Sequence, residues 1–221
     1  MIRIAIDGPS GSGKSTLAKA VAHELGIIYV DTGALYRTVG YHVYINGKDP
    51  HNAEQVESLL SGIHIELKYE NGAQKVILNS EDLGDKIRMP EMSMYASAVS
   101  TIPAVREFLL EMQKSLARDN SVVMDGRDIG TVIIPDADLK IFLTASNETR
   151  AKRRTFELQS KGVDAKYEDV LSDMIERDRQ DKNRNIAPAV PADDAIIFDN
   201  SAMTVEESLN EIVRLVNERK Q

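Results

Sequence analysis

The residues most able to do chemistry come first in the chain. Gly8-Pro9-Ser10-Gly11-Ser12-Gly13-Lys14-Ser15 fits the pattern G-x-x-x-x-G-K-[ST], and Thr16 extends it. Glycines let a backbone wrap a phosphate with its N–H groups, and a helix N-terminus adds positive potential. Lys14 can reach the outer phosphates of a nucleoside triphosphate, and Ser15 can ligate Mg²⁺. A second candidate is Asp125, which closes the apolar run Val122-Val123-Met124. An acid at the end of such a strand faces the metal beside a phosphate-binding loop, directly or through water. Further residues suit a second phosphate-bearing molecule. Asp31-Thr32-Gly33-Ala34-Leu35-Tyr36-Arg37 offers a hydroxyl and a charge after a second strand, and Asp125-Gly126-Arg127-Asp128 offers another arginine. Arg150 to Arg184 holds 10 of the 27 basic residues, with acids interspersed so that its net charge is small. Within it, Arg177, Asp181 and Arg184 fall on one helix face by their spacing.

These residues need elements to hold them. Ile2, Ile4 and Ile6 read as a strand, and Leu17, Ala18, Val21, Ala22 and Leu25 recur with a helical period that Gly26 stops. Ile27 to Val30 reads as the next strand, and this βαβ order predicts a parallel sheet with crossover helices. Three more apolar runs fit buried strands: Ser121–Met124, Leu139–Leu143 and Ala195–Phe198. Helices are predicted over Pro103–Arg118, Asn147–Lys161, Glu168–Arg184 and Val205–Lys220, the last with N-cap candidates in Ser201–Thr204. Ile63, Ile65 and Leu67 alternate with polar residues, Glu70-Asn71-Gly72 supplies turn chemistry, and Lys75–Asn79 reads as a second strand. This predicts a small antiparallel hairpin set into a helical region.

Composition narrows the field. The chain has 221 residues, enough for a sizeable single core. Its 35 acidic and 27 basic residues give a net charge of -8, unlike the basic excess usual on duplex DNA or an anionic membrane. There is no cysteine, which removes thiol catalysis, disulfides and Cys-ligated zinc. The four histidines lack the spacing of a helical zinc pair. No secretory signal and no apolar stretch of spanning length is legible, so the cytoplasm is the expected location.

The motif set resembles bacterial cytidylate kinases, within the nucleoside monophosphate kinases related to adenylate kinase. The resemblance rests on Gly8–Thr16, Asp31–Arg37, Asp125–Thr131 and Arg177–Arg184, with Pro188 and the inserted hairpin, and it covers essentially the whole chain. It implies an α/β P-loop nucleotide kinase fold: a five-stranded parallel sheet flanked by helices, a small antiparallel insert and a helical lid. The implied subregions are a core of residues 1–34, 104–148 and 167–221, a monophosphate-binding part of 35–103 with its insert at about 62–83, and a lid at about 149–166.

The implied reaction is transfer of the γ-phosphoryl of ATP to CMP or dCMP, with Mg²⁺, in a monomer that uses neither nucleic acid nor membrane. Lys14 and the loop would hold ATP, with Ser15 and Asp125 on the metal. Arg37, Arg127 and Arg184 would hold the acceptor phosphate, with Thr32 and Tyr36 beside it, and Arg153 and Arg154 would close from the lid. Asp181 would accept from the ribose with Arg177 steadying it, and Ser97, Arg106 and Asp128 would read the cytosine. The stretch Arg150–Lys161 is expected to be mobile until phosphate arrives, because its like charges repel. Two alternatives remain on the residues alone. One is a P-loop kinase of another small acceptor; the other is a nucleotide-state switch, against which the lack of an N-K-x-D-like sequence speaks.

Overall fold

The computed structural model describes residues 1–70 and 73–219. The chain forms two compact units, one of Met1–Ile27 with the chain from Ser121 onward, the other of Ile28–Asn120. The sequence-based subregions divide elsewhere, at 34/35 and 103/104.

In the first unit, β1 (Arg3–Asp7) buries Ile4, Ala5 and Ile6 completely. A strand covered on both faces reads as a continuous apolar run, as strands of parallel sheets do. After the glycine-rich loop, α1 (Lys14–Leu25) buries Leu17, Ala18, Val21 and Ala22 along one stripe and ends at Gly26, whose φ is 64°. That left-handed cap costs glycine nothing.

The second unit opens with β2 (Ile28–Asp31) and continues through α2 (Thr32–Ile45), α3 (Ala53–Leu60), β3 (Ile65–Glu70), β4 (Ala73–Leu78), β5 (Glu81–Asp82), α4 (Pro90–Val99) and α5 (Pro103–Asp119). Its core joins Leu35, Val39 and Val43 of α2 to Ile65, Val76 and Leu78 of the small sheet and to Val105 and Leu109 of α5. Each such side chain contributes about 1.5–3 kcal/mol by leaving water.

The predicted hairpin is present, with antiparallel register Ile65↔Leu78 and Tyr69↔Gln74. Its Asn71-Gly72 turn lies outside the described residues. The prediction of two strands is corrected to three: β5 pairs Ile77↔Asp82 and Leu78↔Glu81. The connecting Asn79 and Ser80 have φ of 49° and 73°, the geometry of a tight hairpin turn. The third strand escaped notice because Glu81-Asp82 has no apolar alternation to announce it.

Back in the first unit come β6 (Val122–Gly126), a π-helical turn over Ile129–Ile133, β7 (Leu139–Thr144), α6 (Asn147–Ser160), α7 (Tyr167–Asn183), β8 (Ile196–Asp199) and α8 (Val205–Arg219). The α8 start is a capping box: Thr204 Oγ1 accepts from Glu207 N–H at 3.1 Å, and Glu207 Oε2 accepts from Thr204 N–H at 2.8 Å. Lys220, included in the sequence-based helix, lies outside the described residues.

Five strands form the predicted parallel sheet, in the order β2-β6-β1-β7-β8, and β3-β4-β5 form the small antiparallel one. The register Asp7↔Gly126 and Asp7↔Phe142 brings the carboxyl ends of β1 and β6 to one edge. Ligands of open α/β sheets bind at that edge.

Candidate active site

The phosphate-binding loop leaves β1 at this edge. Gly8 has a φ of 147°, and a Cβ there would stand 2.0 Å from the Leu143 carbonyl oxygen. Only glycine lets the loop cross β7 so closely. Gly13, at φ 91°, precedes the first turn of α1 without a side-chain cap and with no acid in that turn. The early N–H groups of α1 therefore present positive potential to the loop.

Lys14 is buried and curls over its own loop, donating from Nζ to the Pro9 carbonyl at 2.6 Å. Burial lowers its pKa well below 10.5, helped by the Arg127 charge and opposed by Asp125 and Asp7. A bound polyphosphate would return the counter-charge that burial denies it. Ser15 Oγ donates to Asp125 Oδ2 at 2.7 Å. The two oxygens predicted to face a metal thus touch, although the residues are 110 positions apart.

Asp7, which sequence reading passed over, is buried at the end of β1. Its carboxylate accepts the N–H groups of Ile129 and Gly130, each at 2.8 Å. Burial pushes its pKa up to about 6, against those two bonds. It fastens the turn that follows Arg127 and Asp128.

The arginine-rich segments converge on paired carboxylates. Arg127 Nε donates to Asp181 Oδ2 at 2.9 Å, and Arg184 lies 3.4 Å from Asp128 and 3.9 Å from Asp181. Burial works to raise the Asp181 carboxyl, yet Arg127, Arg177 and Arg184 together leave it below its ordinary value. Spacing along α7 suggested partners for Asp181 only on its own helix; Arg127, 54 residues away, was missed.

α6 is tied to the loop. Arg150 donates to the Ser10 carbonyl at 2.8 Å and to Asp178 at 2.5 Å, and Asp178 also accepts from Ser10 N–H at 3.2 Å. Arg153 donates to Asn200 Oδ1 at 3.0 Å and to its carbonyl at 2.9 Å, while Asn200 Nδ2 reaches the Ser12 carbonyl at 3.1 Å. Arg154 and Lys161 both pair with Glu157, at 2.8 and 2.6 Å. The expectation of like-charge repulsion in Arg150–Lys161 is corrected: these cations meet carboxylates, a side-chain amide or carbonyls. Asp178 and Asn200 were missed; an acid three residues before Asp181 was the available signal for the first.

The second unit builds its own cluster. Asp31 caps α2, its Oδ1 accepting from Ala34 N–H at 2.9 Å, and its Oδ2 accepts from Arg37 at 2.8 Å. Thr32 is buried in the first turn of α2. The Arg106 guanidinium sits 5.6 Å from the centre of the Tyr36 ring and donates to the Ser100 carbonyl at 3.3 Å. Two residues expected near the substrate thus stack on each other, and Ser97 lies half-buried on α4.

No group of three His, Asp or Glu side chains among the described residues could hold a metal by itself. The hard oxygens of Ser15 and Asp125 do suit Mg²⁺, which commonly keeps waters and takes one or two protein ligands plus substrate phosphates. Among the described residues, no helix is long and apolar enough to cross a membrane.

The family model described as cytidylate kinase matches residues 4–218. A cytidylate kinase of Caldicellulosiruptor bescii is 49% identical over 214 residues, which cover 97% of this chain and 95% of that protein. One from Flavobacterium johnsoniae is 48% identical, covering 98% of this chain and 96% of its own. A solved structure of an uncharacterized protein from Eubacterium ventriosum aligns over 98% of this chain and 99% of that chain, with a TM-score of 0.51 and 16% identity, a likeness of fold alone.

Proposed function

The chain belongs to the cytidylate kinase family, and on that premise we infer that it transfers the γ-phosphoryl group of ATP to CMP or dCMP, giving ADP and CDP or dCDP. The observation that carries the donor half is the Ser15–Asp125 hydrogen bond beneath a glycine-formed loop at the sheet edge. A phosphate monoester has its second pKa near 6, so the acceptor is largely dianionic at neutral pH and needs no dedicated base. What the protein must do is hold two anions together and stabilise the charge that spreads as the phosphoryl group moves.

The loop N–H groups and Lys14 bind the donor phosphates, with Lys14 leaving the Pro9 carbonyl to do so. Ser15 and Asp125 would hold Mg²⁺, which when bound neutralises charge on the β- and γ-phosphates. Arg37, Arg127 and Arg184 hold the acceptor phosphate, with Thr32 and Tyr36 lining its site. Arg153 and Arg154, on the lid helix, close on the transferring group. Asp181 accepts a hydroxyl of the sugar, and the cations Arg127, Arg177 and Arg184 keep it ionised for that role.

Ser97, Arg106 and Asp128 read the base. A carboxylate suits the cytosine amino group and a guanidinium its N3 and O2 acceptors. Uracil reverses two of these groups, and a site built for hydrogen bonds rejects the mismatch, here by about 10²–10³. This reading assigns residues 1–34, 104–148 and 167–221 to the core, 35–103 to the monophosphate-binding part and about 149–166 to the lid, in a cytoplasmic monomer that uses neither nucleic acid nor membrane. The test is ADP release coupled to a reporter, with CMP titrated at saturating MgATP. Saturable stimulation by CMP supports the function; ADP release no faster than without CMP rejects it.

A further inference from the structure

We propose that Gln74, on the three-stranded insert, is a positioning residue for the acceptor phosphate: its side-chain amide holds the main chain of Asp31, and Asp31 holds Arg37. The contact has two points. Gln74 Oε1 accepts from Asp31 N–H at 2.9 Å, and Gln74 Nε2 donates to the Asp31 carbonyl at 3.3 Å. A neighbouring strand pairs with both groups of one residue in this way.

That pairing matters because of where Asp31 lies. β2 stands at the end of the strand order of the parallel sheet, with one side turned away from β6. Gln74 pairs with the last residue of β2. From there Asp31 turns the chain into α2: it caps the helix through Ala34 N–H and fixes Arg37 through its other oxygen. The guanidinium lies close over Gly33, where a Cβ would stand 3.0 Å from Arg37 Nη1. Main chain fixed by Gln74 and side chain fixing Arg37 meet in one buried residue.

The insert is registered to make this contact. Gln74, Val76 and Leu78 alternate onto one face of β4. Val76 and Leu78 are buried in the core that includes Ala34, Leu35 and Val39 of α2. Gln74 is the polar end of that apolar row, set where α2 begins. A one-residue slip in the Tyr69↔Gln74 register would send it to the other face. The small sheet thus reaches the start of α2 through the Gln74 amide.

The inference rests on the reading of Arg37 as an acceptor-phosphate ligand, and the experiment separates the two. Gln74→Met keeps the side-chain length without either hydrogen bond; Gln74→Glu keeps the acceptor and replaces the donor with an oxygen facing the Asp31 carbonyl. These variants, Arg37→Met and the double variant Q74M/R37M are compared in the full-length protein, by KM for CMP and for ATP and by calorimetric CMP affinity without ATP.

Q74M is expected to weaken CMP about three- to tenfold, the usual return of one or two neutral hydrogen bonds, with KM for ATP unchanged. Q74E, which sets an oxygen against the Asp31 carbonyl, weakens CMP at least as much. The double variant is no worse than R37M, because both act on one contact. Unchanged CMP affinity in Q74M, equal rises in both KM values, or additivity with R37M overturns the inference. R37M binding CMP like the parent overturns the phosphate role of Arg37 and this inference with it; R37M losing CMP while Q74M does not overturns the inference alone. Should Q74M fail to fold, Q74E carries the same comparison.

Discussion

Replacing Asp181 with asparagine separates a sugar ligand from a structural ion pair. The side chain is about one-tenth exposed, as is Arg184, and Arg127 is about one-fifth exposed. Breaking a buried pair outright costs about 3–5 kcal/mol. Here Arg184 keeps Asp128 at 3.4 Å, Arg127 keeps the Gly126 carbonyl at 3.2 Å, and asparagine keeps an acceptor, so the expected loss is about 2 kcal/mol. For a chain of this size that lowers the melting temperature by about 4–8 °C. A kinetic effect is added if the carboxylate accepts a ribose hydroxyl. Exchanging a hydrogen bond to a charged group, about 1.5–3 kcal/mol, for one to the neutral amide oxygen, about 0.5–1.5 kcal/mol, costs about 1–1.5 kcal/mol, or about 5–13-fold in kcat/KM for CMP. The dependence on ATP should change far less. The pH behaviour follows from the same cations: with the folded pKa depressed, the stability from Asp181 is present above about 3.8 and is lost as pH falls further. D181N should lack that component. The assay pairs coupled ADP release with thermal denaturation. A lowered melting temperature with kcat/KM for CMP within about threefold of the parent would refute the sugar role and leave Asp181 as a partner of two arginines.

Other substitutions probe the loop, the base site and the strand end. Gly8→Ala should cost more than about 4 kcal/mol, because its Cβ meets a backbone oxygen at 2.0 Å, whereas Gly13→Ala, 3.7 Å from the nearest neighbour, should cost about 1–2 kcal/mol for its φ alone; equal melting temperatures would contradict this. Arg106→Met should lower kcat/KM for CMP more than for UMP, narrowing the discrimination by about tenfold or more, and a mutant that kept its discrimination would count against the base reading. Asp7 should titrate near 6, read from its carboxyl carbon by NMR. Its folded pKa is raised, so the stability it contributes is fully present below about 3.8 and is lost as pH rises through about 6. The parent should therefore gain on Asp7→Asn as pH is lowered from 7 to 4.5, and a trend of opposite sign would show that the carboxyl is not raised.

What could be read from sequence was what is contiguous. The phosphate loop is one unbroken motif, and β1, β6 and β7 are apolar runs because both faces are covered. The second hydrogen-bonding layer is not contiguous and was not legible. Asp7 acts on residues 122 and 123 positions away, Asn200 on Ser12 across 188, and Gln74 on Asp31 across 43. None of these has a local pattern, since each is defined by what the fold brings to it. The charge clusters misled in the opposite way. Arg150 to Lys161 looked like repulsion in one dimension, but Asp178 and Glu157 compensate Arg150, Arg154 and Lys161, and Arg153 is held by Asn200 and neighbouring carbonyls.

The most direct test of the account is an acceptor screen at saturating MgATP, with CMP, dCMP, UMP, AMP, GMP and hydroxylated acids offered in turn and ADP measured. The account predicts rapid turnover with CMP and dCMP, UMP lower by about 10²–10³ in kcat/KM, and background rates with the rest. UMP used as well as CMP would contradict the base site, and a hydroxylated acid used in place of CMP would contradict the assignment of the enzyme itself.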